Sequence, residues 1–284
     1  MPKFVIGIGS QRAGSTLLHR ILDECTDIFM HPVKELHYYD TLYGVRQPDV
    51  LKEYSQRQID RELDRLISDK AHGYINKRYK CYIRTNKILA TQEVKDVDYL
   101  DLYRPCIAGN EMLGEITPEY MILPEEGVKR MAEELGSNAK IILISRDPVE
   151  RFISAFKLLK NYSNPNYNPV FFEEDLLESL ETMPSWIGQQ KQMNDYEAAL
   201  NKYLKYFDDV LFLSFEGMIK DVYVLKEKLE TFLGVELDDR KFEAIFFGKK
   251  VNQIGETAVV SEKLRNKVEN MFRIEKEYLE KVHK

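Results

Sequence analysis

Apolar positions along the chain follow two periods. Short runs at 4–8 ("FVIGI"), 112–116 ("MLGEI"), 140–145 ("KIILIS") and 210–214 ("VLFLS") are bounded by polar residues or glycine. Runs this short and this continuously apolar suit strands buried on both faces of a parallel sheet. A weaker fifth, "DIFMH", stands at 27–31. Between them the apolar residues recur with helical spacing over 15–25, 124–136, 148–160, 189–207 and 218–233, the last ending on Gly234 as a helix C-cap would. Strand alternating with helix predicts an α/β fold, P-loop-like, with three α/β/α layers around a central parallel sheet of about five strands and right-handed crossovers. Ligands of such sheets sit at the carboxyl ends of the strands, so the loops after residues 8, 31, 116 and 145 come first as candidate sites.

Two stretches break the alternation. Residues 41–110 form a long insertion, and Leu51, Tyr54, Ile59, Leu63 and Leu66 follow at roughly helical spacing near its start. It is expected to be a helical canopy over the sheet's edge, on the acceptor side. Residues 161–188, with "NYSNPNYNPV" and the single tryptophan Trp186, read as an irregular loop. The whole of 1–284 is read as one domain, for which 44% hydrophobic residues supply an ample core.

Composition narrows the partners. Lys and Arg number 41 against 47 Asp and Glu, a formal charge of -6, so bulk electrostatics offers no attraction to nucleic acid. Any anion site must be built locally. No apolar stretch approaches the roughly twenty residues of a membrane span, and no membrane partner is expected. Cys25, Cys81 and Cys106 are odd in number and lack metal-ligand or redox spacing, which reads as reduced thiols in a cytoplasmic protein.

A local anion site is visible in "GIGSQRAGST" at 7–16. From Gly9 the pattern is Gly-x-x-x-x-Gly followed by Ser15 and Thr16, where a nucleoside-triphosphate loop would place Lys and then Ser or Thr. The lysine is missing, and a cation, Arg12, stands inside the loop. A glycine-rich turn from strand to helix aims backbone N–H groups and the helix dipole at one point, whatever its lysine does. The strand at 140–145 is followed by Arg146 rather than by a magnesium-binding aspartate, then by Asp147 and Pro148, a good N-cap and a good first helical residue. Together these imply a nucleotide with two separated phosphate groups and no metal. Taken singly, Arg146 paired with Asp147 or Glu150, and Ser154 as an ordinary helix residue, are the simpler readings.

"GSQRAGST" resembles the 5′-phosphosulfate loop of the sulfotransferases that use 3′-phosphoadenosine 5′-phosphosulfate, and "ISRDPVERFISAF" at 144–156 is similar to their 3′-phosphate-binding stretch. "VKELHYYD" (33–40) and "GEITPEY" (114–120) look like segments of the carbohydrate and glycosaminoglycan branch and its bacterial relatives. The resemblance implies Gln11, Arg12, Ala13, Gly14, Ser15 and Thr16 on the phosphosulfate, Arg146 and Ser154 on the 3′-phosphate, and Lys249 or Lys250 on a closing loop. It implies Glu35 as general base toward a small-molecule or carbohydrate hydroxyl, with His37 as the competing base and Arg12 stabilising the leaving oxygen. For His37, a surface position beside a strand is the simpler expectation. Thr117 and Pro118 read as a strand-ending turn, with Glu115 satisfied inside it, and Trp186, Tyr74, Tyr79 and Tyr82 read as packing residues. A P-loop kinase and a non-catalytic nucleotide-binding protein are the alternatives.

Overall fold

The computed structural model describes residues 2–68, 76–104, 106, 107, 109, 112–164, 166–247 and 260–283. Its sheet has five parallel strands. The first, β1 (Lys3–Gly9), leads into α1 (Ser15–Cys25) and a two-residue β2 (Phe29–Met30), and then into a short α2 (Tyr38–Leu42). The insertion supplies α3 (Pro48–Ile67) and α4 (Lys77–Thr91), after which β3 (Met112–Ile116), α5 (Glu125–Leu135), β4 (Lys140–Ser145) and α6 (Pro148–Ser163) resume the alternation. Helices α7 (Phe172–Thr182), α8 (Pro184–Gln192) and α9 (Tyr196–Tyr203) precede β5 (Val210–Ser214), and five more follow it: α10 (Phe215–Lys220), α11 (Val222–Leu233), α12 (Asp239–Phe247), α13 (Glu262–Met271) and α14 (Arg273–Val282).

Strand order is β2-β3-β1-β4-β5. The chain therefore reverses its direction of travel across the sheet beside β1, and the crevice between the carboxyl ends of β1 and β4 is the topological switch point. Side chains alternate about the sheet as a period of two requires. Phe4, Ile6, Ile8, Ile141 and Leu143 face a layer containing α5 and α9. Val5, Ile142, Ile144 and Leu213 face α1, α11 and α12. These are the three expected layers.

Two expected helices are each divided. The span 189–207 is broken between α8 and α9, where the Asp195 carboxylate accepts from Ala198 N–H and starts a new helix. The span 218–233 is broken at Asp221, which caps α11 in the same way, while Ser214 caps the separate α10. Capping side chains won over apolar periodicity in both places. The irregular loop expected at 161–188 holds only over its middle, where Asn164 and residues 166–168 carry no helix and Pro169–Phe171 make one 3-10 turn; elsewhere it is a correction of the opposite kind, because α6 runs on to Ser163 and α7 and the start of α8 are helical. Its Asn and Pro residues punctuate helices: Asn168 accepts from Val170 N–H, and Pro184 opens α8. Trp186 packs between Phe152 and Phe156, with ring centroids 5.4 and 5.7 Å away, in a third core that also takes Phe172, Leu176 and Phe272.

The insertion is helical, as expected, and it covers the β2 edge. Its apolar stripe is only partly used. Leu51 is buried, whereas Leu63 and Leu66 are 50% and 39% exposed beside an apolar cavity of about 440 Å³ between α3 and α4. The insertion is fastened by a buried histidine. His31, directly after β2, accepts from Val33 N–H at Nδ1 (3.0 Å) and donates from Nε2 to the Leu102 carbonyl (3.0 Å), which also accepts from Thr85 of α4. Burial pushes its pKa down to about 4, so the ring is neutral. Arg78 of α4 adds an ion pair to Asp23 and lies over the Phe29 ring.

Replacing this ring by one of similar size without nitrogen leaves Val33 N–H buried and unpaired. His31→Phe is expected to cost ~1–3 kcal/mol, the penalty of one unsatisfied buried group, read as a lower urea midpoint. An unchanged midpoint would remove His31 from this role.

Candidate active site

The loop after β1 is held tightly. Ser10 N–H bonds to the Ile144 carbonyl (2.8 Å) and Ser10 Oγ to the Met193 carbonyl (3.2 Å), so β4 and the α8–α9 turn grip its first residue. Arg12 has φ 68° and Gly14 φ 92°. A Cβ on Gly14 would stand 2.7 Å from the Phe215 ring, so both conformation and space demand glycine. Helix α1 then starts at Ser15 with no acidic residue in its first turn, leaving its orphan N–H groups and dipole to act on an anion.

Arg12, Ser154 and Arg146 come together over this loop. Arg12 Nε donates to Ser154 Oγ (2.9 Å), and Arg146 Nη1 donates to the Arg12 carbonyl (2.8 Å) with its guanidinium 5.2 Å from the Phe215 ring centroid. Asp147 does not pair with Arg146. Its carboxylate caps α6 by accepting from Val149 and Glu150 N–H, and Glu150 pairs with Arg265. Burial, and next the Arg146 charge, lower the Arg12 pKa. A third guanidinium, Arg151, is fully buried and, among the described residues, bonds to amide oxygens of Asn194 and Gln190. Burial brings it down to about 10. Guanidinium groups whose hydrogen-bond partners are neutral keep their charge and raise a local positive potential in a protein of negative net charge.

The opposite wall is the segment after β2. Lys34 Nζ lies 3.3 Å from Ser15 Oγ and also donates to the Glu35 carboxylate. Glu35 is 36% exposed at its side chain. His37 is not the surface residue expected from sequence. It is buried, with Nδ1 2.7 Å from Asp40 and Nε2 3.4 Å from the other oxygen of Glu35. Burial favours the neutral ring, but the carboxylates of Asp40 and Glu119 outweigh it and raise the His37 pKa to about 10. Glu35 shows the reverse balance. Its burial acts upward, and the His37 hydrogen bond with the Lys34 charge brings it down to about 2. The result is an ionised carboxylate beside an imidazolium and an ammonium.

One buried carboxylate sets this geometry. Glu115 of β3, fully buried, accepts from Leu36 N–H (3.0 Å), Thr117 Oγ (2.6 Å), Tyr99 OH (2.7 Å) and Tyr120 OH (2.9 Å). Tyr120 OH accepts in turn from Tyr38 N–H. The backbone on either side of His37 is thus pinned to the end of β3.

The structure brings Arg12, Ser15, Arg146, Ser154, Glu35 and His37 to one group of strand ends. Gln11 and Ala13 complete the loop, Ala13 buried in the core beneath it, while Thr16 points to solvent. Lys249 and Lys250 lie outside the described residues. Sequence reasoning missed Lys34, Asp40, Glu119 and Arg151. Asp40 three residues after His37 was a visible clue; the buried setting of Arg151 was not. Among the described residues the ligand atoms of Glu35, His37 and Glu119 lie within 4.8 Å of one another, close enough to share a metal ion. The imidazolium state works against this, because a protonated ring nitrogen has no lone pair to give.

A sequence model described as the sulfotransferase family matches residues 2–239. No curated protein matches the chain. Among solved structures, a sulfotransferase from Alicyclobacillus acidocaldarius is similar at TM-score 0.57 and 21% identity, over 97% of this chain and 92% of that one. A sulfotransferase domain from the curacin biosynthetic pathway gives 0.49 at 15% identity, over 91% and 82%. A mouse sulfotransferase complexed with PAP gives 0.42 at 14%, over 99% and 89%.

The His37 pKa has a consequence for stability. An imidazolium held at about 10 when folded, against about 6.5 unfolded, contributes stability that is complete below pH 6.5 and fades as pH climbs through 10. Between pH 7 and 10 the urea midpoint of the wild-type protein is therefore expected to fall further than that of His37→Phe. Parallel profiles would contradict the charged state.

Proposed function

Because the chain belongs to the sulfotransferase family, we propose that it transfers the sulfuryl group of 3′-phosphoadenosine 5′-phosphosulfate to a hydroxyl acceptor of carbohydrate type, with Glu35 as general base and without a metal. The observation that carries this reading is that an anion cradle after β1 and an accessible ionised carboxylate after β2 stand at the same end of the sheet within reach of one side chain, Lys34. The N–H groups opening α1, with Arg12 and the Ser15 and Thr16 hydroxyls, would hold the phosphosulfate. Arg146 and Ser154 would hold the 3′-phosphate.

The chemistry asks for three things: in-line positioning, charge on the departing bridging oxygen, and a proton acceptor. A sulfuryl group carries less negative charge than a phosphoryl group, so fixed cations and backbone donors can do what magnesium does in kinases. The oxygen–sulfur bond to the acceptor forms as the bond from sulfur to the bridging oxygen breaks, and the acceptor proton passes to Glu35. Asp40 fixes the ring of His37, and His37 holds Glu35, so His37 acts as a positioning residue rather than as the base. The odd cysteine count keeps a reducing, cytoplasmic setting as part of the reading. Among the described residues no helix is long and apolar enough to cross a membrane.

Glu35→Gln keeps the shape and removes the base. Its turnover with the phosphosulfate donor is expected to fall ~10²–10⁴-fold, the usual contribution of a general base, and unchanged turnover would sink the mechanism. Calorimetry of the wild-type protein is expected to show chelator-insensitive binding of 3′-phosphoadenosine 5′-phosphate, and Arg146→Ala to weaken it ~10–100-fold, as loss of a charged hydrogen bond would. Equal affinity for nucleotides with and without the 3′-phosphate would refute that assignment. Preference for magnesium ATP would make the loop a divergent kinase site.

A further inference from the structure

Among the described residues, Lys34 is the side chain that touches both halves of the site. Its ammonium is 3.3 Å from Ser15 Oγ, at the helix start that faces the anion, and it donates to the Glu35 carboxylate. Its own side chain is only 23% exposed. An ammonium with three donors and no acceptor can serve both partners and still face a third group. If a sulfuryl group is to pass from the loop to an oxygen beside Glu35, it must cross the gap that Lys34 spans.

There is also a difficulty that Lys34 resolves. In the free protein Glu35 is held near 2 by His37 and Lys34, which makes it ionised but a weak base, and a base works best when its pKa lies near the working pH. His37 is fixed from behind by Asp40 and has no freedom to withdraw. Lys34 is on a flexible four-carbon stem and can turn. An anion seated at the loop gives it a stronger partner than the Ser15 hydroxyl.

We propose that Lys34 is a catalytic residue that turns from Glu35 to the sulfuryl oxygens when the nucleotide is seated, stabilising the transferring group while freeing the carboxylate to accept the acceptor proton. This rests on the sulfotransferase reading and adds to it a coupling between nucleotide occupancy and the strength of the base. The bonds exchanged are those already given. The acceptor oxygen bonds to sulfur, the bridging oxygen leaves with its electron pair on the 5′-phosphate, and the proton moves to Glu35. Lys34 keeps all three of its protons and only changes partners. Arg12 serves the departing phosphate from inside the loop, so the two cations act on different oxygens.

The test compares wild type with Lys34→Met and Lys34→Arg, reading turnover at saturating donor, calorimetric affinity for 3′-phosphoadenosine 5′-phosphate, and the pH dependence of kcat/KM. Lys34→Met is expected to lose ~100-fold in kcat, as removal of a transition-state donor does, while affinity for the bisphosphate product changes less than about threefold, since that ligand lacks the sulfuryl group. The acid limb of kcat/KM should move to higher pH in Lys34→Met, because a cation that holds the free Glu35 down is gone. Lys34→Cys alkylated with 2-bromoethylamine rebuilds an ammonium of nearly the original reach, and Cys25, Cys81 and Cys106 are all buried. Rescue of kcat by this treatment would exclude a merely structural loss. The proposal is overturned if Lys34→Met retains kcat within threefold, or if turnover and bisphosphate affinity fall together, which would make Lys34 a nucleotide anchor only. Wild-type protein that neither binds the bisphosphate nor transfers from the donor would overturn the family-based reading instead, and Lys34 with it.

Discussion

The site depends on a carboxylate that never meets solvent. Glu115 sits inside the sheet's edge with four donors around it. Burial pushes its pKa upward and those donors oppose that push. A buried carboxylate is tolerable only when its oxygens are occupied, and here the occupants are the parts that must be placed. Leu36 N–H fixes the backbone between Glu35 and His37. Tyr120, on the turn after β3, fixes Tyr38. Tyr99 comes from the insertion and packs against Phe4, Tyr38 and Tyr39 with tilted and edge-on rings. One residue thus ties the Glu35 segment, the sheet and the insertion to a common point, and directional hydrogen bonds, unlike apolar contacts, allow no sliding.

Charge is organised around that point in two groups with different counter-ions. Around Glu35 each cation has a carboxylate: His37 has Asp40 and Glu35, Arg46 has Glu119, and Lys34 has Glu35. On the loop side Arg12, Arg146 and Arg151 bond to a hydroxyl, a carbonyl and amide oxygens. Neutral acceptors satisfy donors without cancelling charge, so the loop side keeps its positive potential. Burial, and next the Arg146 charge, lower the Arg12 pKa, so gathering like charges there adds to the cost of burying one. An anion would relieve that cost.

Much of this was legible in the sequence because it follows from local rules. All five strands fall on their apolar runs, β2 within the weaker 27–31 and β3, β4 and β5 matching residue for residue, since buried parallel strands leave an unmistakable pattern. The loop and the Arg146 turn carry glycine, cap and proline signals at fixed spacing. What failed was of two kinds. The stretch 161–188 looked irregular because its Asn and Pro residues are turn formers in the absence of neighbours; with α13 and the Phe152 and Phe156 rings to pack on, they bound helices instead. His37 looked like a surface residue because nothing near it in sequence reveals that Glu119, from beyond β3, closes over it. Arg151 was hidden for the same reason, its acceptors lying some forty residues away in α8 and the turn after it. Tertiary partners decide burial, and burial decides which polar residues matter.

The missing loop lysine finds its physical sense in where the cations come from. A lysine at the loop's end would deliver one charge from one strand, and it would move with that strand alone. Here Arg12 comes from the turn after β1, Arg146 from the turn after β4 and Lys34 from the segment after β2, so the charge around the cradle is assembled from three strand ends on either side of the switch point. Each belongs to a separate backbone anchor: Ser10 to Ile144, Arg146 to Tyr196, and Leu36 to Glu115. A cradle built this way is preorganised by the sheet itself, which supplies the fixed dipoles and charges that a solvent would have to reorganise to provide. It also leaves one cation, Lys34, on a flexible stem between the loop and Glu35, where a change of partner can matter to both.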